Sequence, residues 1–103
     1  MLKCRNFSGS HATFFKLTAI DENMNVVYLS PTQVSADDWS AAKNGCIQFI
    51  HQRGSSSKPS DYATFQFDLS QFDGKNIVLS LGVYKGDDNG DENKLCIYSI
   101  NLN

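Results

Sequence analysis

The stretch Asp68-Leu69-Ser70-Gln71-Phe72-Asp73-Gly74-Lys75, running into Asn76-Ile77-Val78-Leu79-Ser80-Leu81-Gly82-Val83-Tyr84, decides how this chain is read. Ile77, Leu79, Leu81 and Val83 recur at every second position, so an extended segment places them all on one face, available for burial. The preceding Ser70–Lys75 run has turn chemistry, and Gly74 suits a position with positive φ. Beyond the acidic run Gly86–Asn93, the segment Leu95-Cys96-Ile97-Tyr98-Ser99-Ile100-Asn101-Leu102 reads as a final strand.

Working back toward the N-terminus, strand signals continue. Leu2–Phe7 opens the chain. Thr13–Ile20 places Phe15, Leu17 and Ala19 on one side and Lys16 and Thr18 on the other. The cluster Asp21-Glu22-Asn23-Met24-Asn25 is a turn, and Val26–Leu29 returns as the second arm of a hairpin. Pro31 stops that arm from continuing as a central strand. Cys46–Gln52 and Tyr62–Leu69 are further strands, the latter with Phe65, Phe67 and Leu69 facing inward. One short helix is expected over Ala36–Lys43, with Ser35 as its cap and Asn44-Gly45 as a left-handed stop. Short strands, turn signals every 8–12 residues and so little helix predict one all-β domain over residues 1–103, an antiparallel β-sandwich.

Composition narrows the function classes. Apolar residues make up 41% and charged residues 19% of the 103, the balance of an ordinary globular domain. A formal net charge of −2 without any Lys/Arg run argues against nucleic acid as a partner. No apolar run approaches the roughly 18–20 residues of a membrane helix, and the N-terminus does not read as a signal peptide. Three cysteines, Cys4, Cys46 and Cys96, have neither metal-site nor redox spacing. Cys46 and Cys96 read as buried free thiols ahead of a Cys46–Cys96 bridge.

The run Tyr62-Ala63-Thr64-Phe65-Gln66-Phe67-Asp68-Leu69-Ser70-Gln71-Phe72-Asp73-Gly74-Lys75-Asn76-Ile77-Val78-Leu79 resembles a segment of galactose-binding-like jelly rolls. Many non-catalytic carbohydrate-binding modules of polysaccharide-degrading enzymes have that fold. The resemblance covers about the C-terminal forty residues and implies a sandwich of jelly-roll type, with the last strand pairing beside the penultimate one. It implies no enzymatic activity of the domain's own, carbohydrate as partner, and an extracellular module of a longer secreted chain, appended to a catalytic domain.

Sugar rings present apolar C–H faces that stack on aromatic side chains, so Trp39, Tyr62 and Tyr84 are the candidate platforms. Trp39 reads at least as well as a pin for the short helix. Tyr62 follows the polar loop Arg53–Ser60 and reads as exposed, while Tyr84 shares a strand face with the small residues Ser80 and Gly82. Gln48 and Gln66 carry paired donors and acceptors that suit sugar hydroxyls, with Thr64 and Ser80 on the same outward phase. His51 and Arg53 edge the loop near Tyr62 and suit hydroxyls or a uronic carboxylate. Each outward face reads equally as plain solvated sheet.

No cofactor is expected. The acidic loop 87–92 offers hard oxygen ligands of the kind calcium takes, although its spacing departs from the EF-hand and a hairpin turn is the commoner explanation. Nucleophile, zinc and phosphate-loop motifs are absent, which argues against catalysis. The triplet Asn6-Phe7-Ser8 matches an N-glycosylation acceptor, a pattern that often arises by chance. The competing reading is a protein-interaction or structural jelly roll, of adhesin type, that binds no glycan. It predicts an exposed apolar patch or an open strand edge.

Overall fold

Residues 1–6, 13–41, 45–50, 58–84 and 95–102 are described by the computed structural model. Among them the chain forms nine strands: β1 Leu2–Asn6, β2 Thr13–Asp21, β3 Val26–Tyr28, β4 Gln33–Val34, β5 Trp39–Ala41, β6 Ile47–Phe49, β7 Ala63–Gln66, β8 Ile77–Tyr84 and β9 Leu95–Ile100. Short 3-10 turns lie at Pro59–Asp61 and Ser70–Phe72. The fold is an all-β antiparallel sandwich. A back sheet has the order β4-β7-β1-β9, and a front sheet joins β3, β2, β6, β5 and β8.

Strand β2 organises the front sheet. β8 runs along one whole edge, from Phe14↔Tyr84 to Asp21↔Ile77. The opposite edge is shared by β6 (Thr13↔Phe49 to Phe15↔Ile47) and β3 (Thr18↔Tyr28 to Ile20↔Val26). The β2–β3 hairpin is closed by Asp21, whose Oδ1 accepts from the backbone N–H groups of Asn23 (2.8 Å) and Asn25 (2.9 Å). Its Oδ2 accepts from the Asn25 side-chain amide at 3.0 Å.

Between the sheets lies one aromatic core. Phe65 of the back sheet meets Phe15 and Phe49 of the front sheet edge to face, at centroid distances of 5.4 and 5.0 Å. All three rings are fully buried, each worth about 1.5–3 kcal/mol relative to exposure. Leu2, Cys4, Ile47 and Ala63 complete this cluster. A second cluster joins Ala19, Leu29 and Phe72, with Leu69, Ile77 and Leu79 packed against it. The alternation read from the sequence is therefore the one that builds the core. Gly74 has the positive φ expected of it, 75°.

Two expectations are corrected. The helix over Ala36–Lys43 does not form across its described part: Trp39–Ala41 is a strand, with Trp39 opposite Phe49 and Ala41 opposite Ile47. About two turns of helix cannot hold without tertiary support, whereas an edge strand on β6 satisfies the same backbone and buries the Trp39 ring. Ser35, expected as the helix cap, instead accepts from the Thr64 backbone N–H at 2.8 Å, tying it to β7.

The second correction concerns the tail. The last strand does not pair beside the penultimate one, because β8 belongs to the front sheet and β9 pairs β1 in the back sheet. The ten residues between them far exceed a tight hairpin turn and have the length to change layers. The acidic loop 87–92, read as a hairpin turn or calcium ligand set, lies outside the described residues. β9 also carries a register shift opposite Lys3/Cys4, a bulge that leaves Tyr98 between paired positions.

Candidate functional site

The outward face of the front sheet follows from the inward one. Phe15, Leu17 and Ala19 pack in the core, so Phe14, Lys16, Thr18 and Ile20 point away from it. On β8 the outward set is Val78, Ser80, Gly82 and Tyr84; on β3 it is Val26 and Tyr28; on β6 it is Gln48. Register fixes the rows. Gln48, Phe14 and Tyr84 stand side by side on three strands. Lys16 faces Gly82 in the next register, and Tyr28, Thr18 and Ser80 form another row.

Lys16 stands at the centre of this face. Its Nζ lies 4.9 Å from the Tyr28 ring centroid and 4.8 Å from that of Tyr84, so one ammonium meets two aromatic rings from opposite edges of β2. Each such contact contributes about 0.5–1 kcal/mol at an exposed site. Tyr28 remains 51% and Tyr84 43% exposed.

Glycine positions hold both rings. A Cβ at Gly82 would stand 2.6 Å from the Tyr84 hydroxyl and 2.8 Å from ring carbons, so the bare backbone is what lets that ring lie across β8. A Cβ at Gly45 would stand 2.6 Å from Cγ of Tyr28, and Gly45 has φ 77° besides. Gly45 is thus required both for its backbone conformation and for the close approach of Tyr28.

The residues singled out in the sequence separate into three places. Gln48 and Tyr84 come together on the front face. Trp39 points inward, its ring edge to face with Phe65 at 6.1 Å, and serves as a core residue rather than a platform. Tyr62 and Gln66 belong to the back sheet, on the far side of the sandwich. Tyr62 is not exposed as expected: it is 9% accessible, tilted against Tyr98 at 5.1 Å, with its hydroxyl 3.6 Å from Cys96 Sγ. One residue ahead of β7, it is covered by the β9 side chains Cys96 and Tyr98. Gln66 is exposed beside Gln33 of β4, and its backbone carbonyl accepts from the Thr32 N–H (2.7 Å) and hydroxyl (3.2 Å). His51 and Arg53 lie outside the described residues.

Lys16, Phe14 and Tyr28 were not singled out. The alternation of β2 already puts Lys16 outward, and a tight hairpin puts Tyr28 beside Thr18. No local pattern shows that β8 pairs the far edge of β2, which brings Tyr84 to the same lysine. On the back face, among the described residues, Lys3 approaches one ring, Tyr98, at 5.7 Å, a sparser arrangement.

The Cys4 thiol is held out of thiolate chemistry. Cys4 is fully buried, and burial, reinforced by the neighbouring Cys96, pushes its thiol far above the ordinary range, so it stays protonated. All three cysteines are free, with Cys46 beside β6 in the front sheet and Cys96 in the back sheet. Asn6 of the glycosylation triplet is fully buried in β1 and offers no acceptor in the folded state. Comparison with protein-family models, with curated proteins and with solved structures returns no match to this chain.

Proposed function

We propose that this domain is a non-catalytic carbohydrate-binding module, a jelly-roll sandwich akin to galactose-binding-like domains, that docks a polysaccharide on the outer face of its front sheet. The observation that carries the reading is the pair of half-exposed tyrosine rings, Tyr28 and Tyr84, flanking Lys16, with Gln48 in the same row as Tyr84. Flat aromatic surface provides stacking for sugar C–H faces, and the amide of Gln48 with the hydroxyl of Ser80 supplies hydrogen bonds. A shallow sheet face exchanges most polar contacts with water, so micromolar to millimolar binding is expected, about −4 to −8 kcal/mol. In this reading the domain is an extracellular module serving a larger secreted chain. Affinity electrophoresis against a polysaccharide panel tests it. At least one polymer should retard the native chain, with retardation reduced in Tyr28→Ala and Tyr84→Ala. Equal retardation of both variants and the native chain removes this face as the site.

A protein-interaction role is the second reading, favoured by the open side of the sandwich. The outer edges of β8 and β9 pair with no strand among the described residues. Val78, Ile97, Ile100 and Leu102 are exposed along them. Between the two sheets on this side lies an apolar cavity of about 100 Å³, lined by Leu17, Leu79, Leu81, Phe67, Ile100 and Leu102. Open apolar edges suit strand addition. Sedimentation of the native chain separates the readings: a strict monomer up to high concentration argues against self-pairing at this edge.

A further inference from the structure

Building on the glycan reading, we infer that the polymer carries an anionic substituent, a carboxylate or a sulfate, and that this group sits on Lys16. Lys16 is the one charged side chain on the outer front face among the described strand residues. It is half-buried, and no carboxylate among the described residues pairs with it. An ammonium carries three donors, and aromatic faces attract its charge without satisfying those donors. Removing such a group from water is unfavourable unless an acceptor replaces the lost hydration. The two rings hold the cation at the centre of the platform, where a ring stacked on either tyrosine brings its substituents to the Nζ. A neutral sugar offers hydroxyls there; a uronate or sulfated sugar offers the full counter-charge.

A stacking surface with a cation also suits single-stranded nucleic acid. Such binders track a strand with a positively charged groove, however, and this face supplies one lysine on a chain of net charge −2. The observations therefore favour the anionic glycan.

The test is affinity electrophoresis of the 103-residue chain in gels containing polygalacturonate, alginate, dextran sulfate or fully methyl-esterified polygalacturonate, each referred to a polymer-free gel. At least one acidic polymer should retard the native chain, and methyl esterification should weaken retardation by polygalacturonate if that is the ligand. Lys16→Met should weaken binding about three- to fivefold, in keeping with one exposed ion pair, while Lys16→Arg retains it. A uronate-only or sulfate-only response identifies the substituent. Unchanged binding in Lys16→Met, or neutral polymers bound as well as acidic ones, overturns the anionic inference and leaves the glycan reading standing. Retardation by no polymer in a wide glycan panel overturns both. An oligothymidylate that binds more tightly than every acidic glycan overturns both in favour of nucleic acid.

Discussion

The hydroxyl of Tyr84 lies 2.6 Å from the point where a side-chain carbon of Gly82 would stand, so these two residues of one strand occupy a single patch of surface. Gly82 faces Lys16 across the β2–β8 ladder, and the ring that fills its place reaches the lysine Nζ. The aromatic platform thus exists because one position of β8 lacks a side chain.

Gly82→Ala should therefore displace the Tyr84 ring. The clash falls on the far end of a flexible side chain, so the fold survives, and the loss of stability stays within about 1 kcal/mol. Glycan retardation should fall as far as in Tyr84→Ala. Chemical denaturation beside affinity electrophoresis checks both parts, and unchanged binding would mean that Tyr84 does not act from this position.

Gly45→Ala is a harsher change, because it strains a backbone at φ 77° and collides with the Tyr28 ring at 2.6 Å. A residue-level cost of about 1–2 kcal/mol for the left-handed conformation adds to the displacement. A lowered denaturation midpoint together with weakened glycan binding is expected, whereas Gly82→Ala should weaken binding with a much smaller change in the midpoint.

Tyr62→Ala should cost stability rather than binding. The ring is buried against Tyr98 and Cys96 on the back sheet, and aromatic-to-alanine changes at buried sites cost about 3–5 kcal/mol. The variant should unfold at clearly lower urea concentration while any folded fraction keeps its glycan affinity. Loss of affinity at full stability would move the site to the back face.

Acid should loosen the β2–β3 hairpin. The backbone N–H of Asn25 first, then its side-chain amide, holds the Asp21 carboxyl below its ordinary 3.8. A carboxyl depressed in the folded state contributes stability above its unfolded value, and that contribution is lost as pH falls through the folded value. Asp21→Asn should lower Tm at pH 7, with the difference from the native chain shrinking toward pH 2. An equal Tm difference at both pH values would contradict this role for the carboxylate.

Residue alternation made most of the fold legible. The inward phase of β2, β7 and β8 was readable because half-buried strands alternate, and the hairpin at Asp21–Asn25 because its turn chemistry is local. The segment around Trp39 forms no helix because a capped two-turn pattern also fits an edge strand, and only the partner β6 decides between them; the inward ring is common to the helix-pin reading and the strand. Placing β9 beside β8 failed for a related reason: strand pairing across sheets is set by distant partners, here Leu2–Asn6, that no local pattern names. The site was half legible. Tyr84 and Gln48 face outward by simple alternation, but their meeting with Lys16 and Tyr28 depends on three long-range registers.

The most direct measurement is a backbone NMR titration of the labelled chain with the acidic polysaccharide that retards it. Shifts should concentrate at Phe14, Lys16, Tyr28, Gln48, Ser80, Gly82 and Tyr84, all on one side of the sandwich. Perturbations confined to Lys3, Thr64, Gln66 and Tyr98 on the opposite sheet, or to the open β8–β9 edge, would contradict binding on the front face.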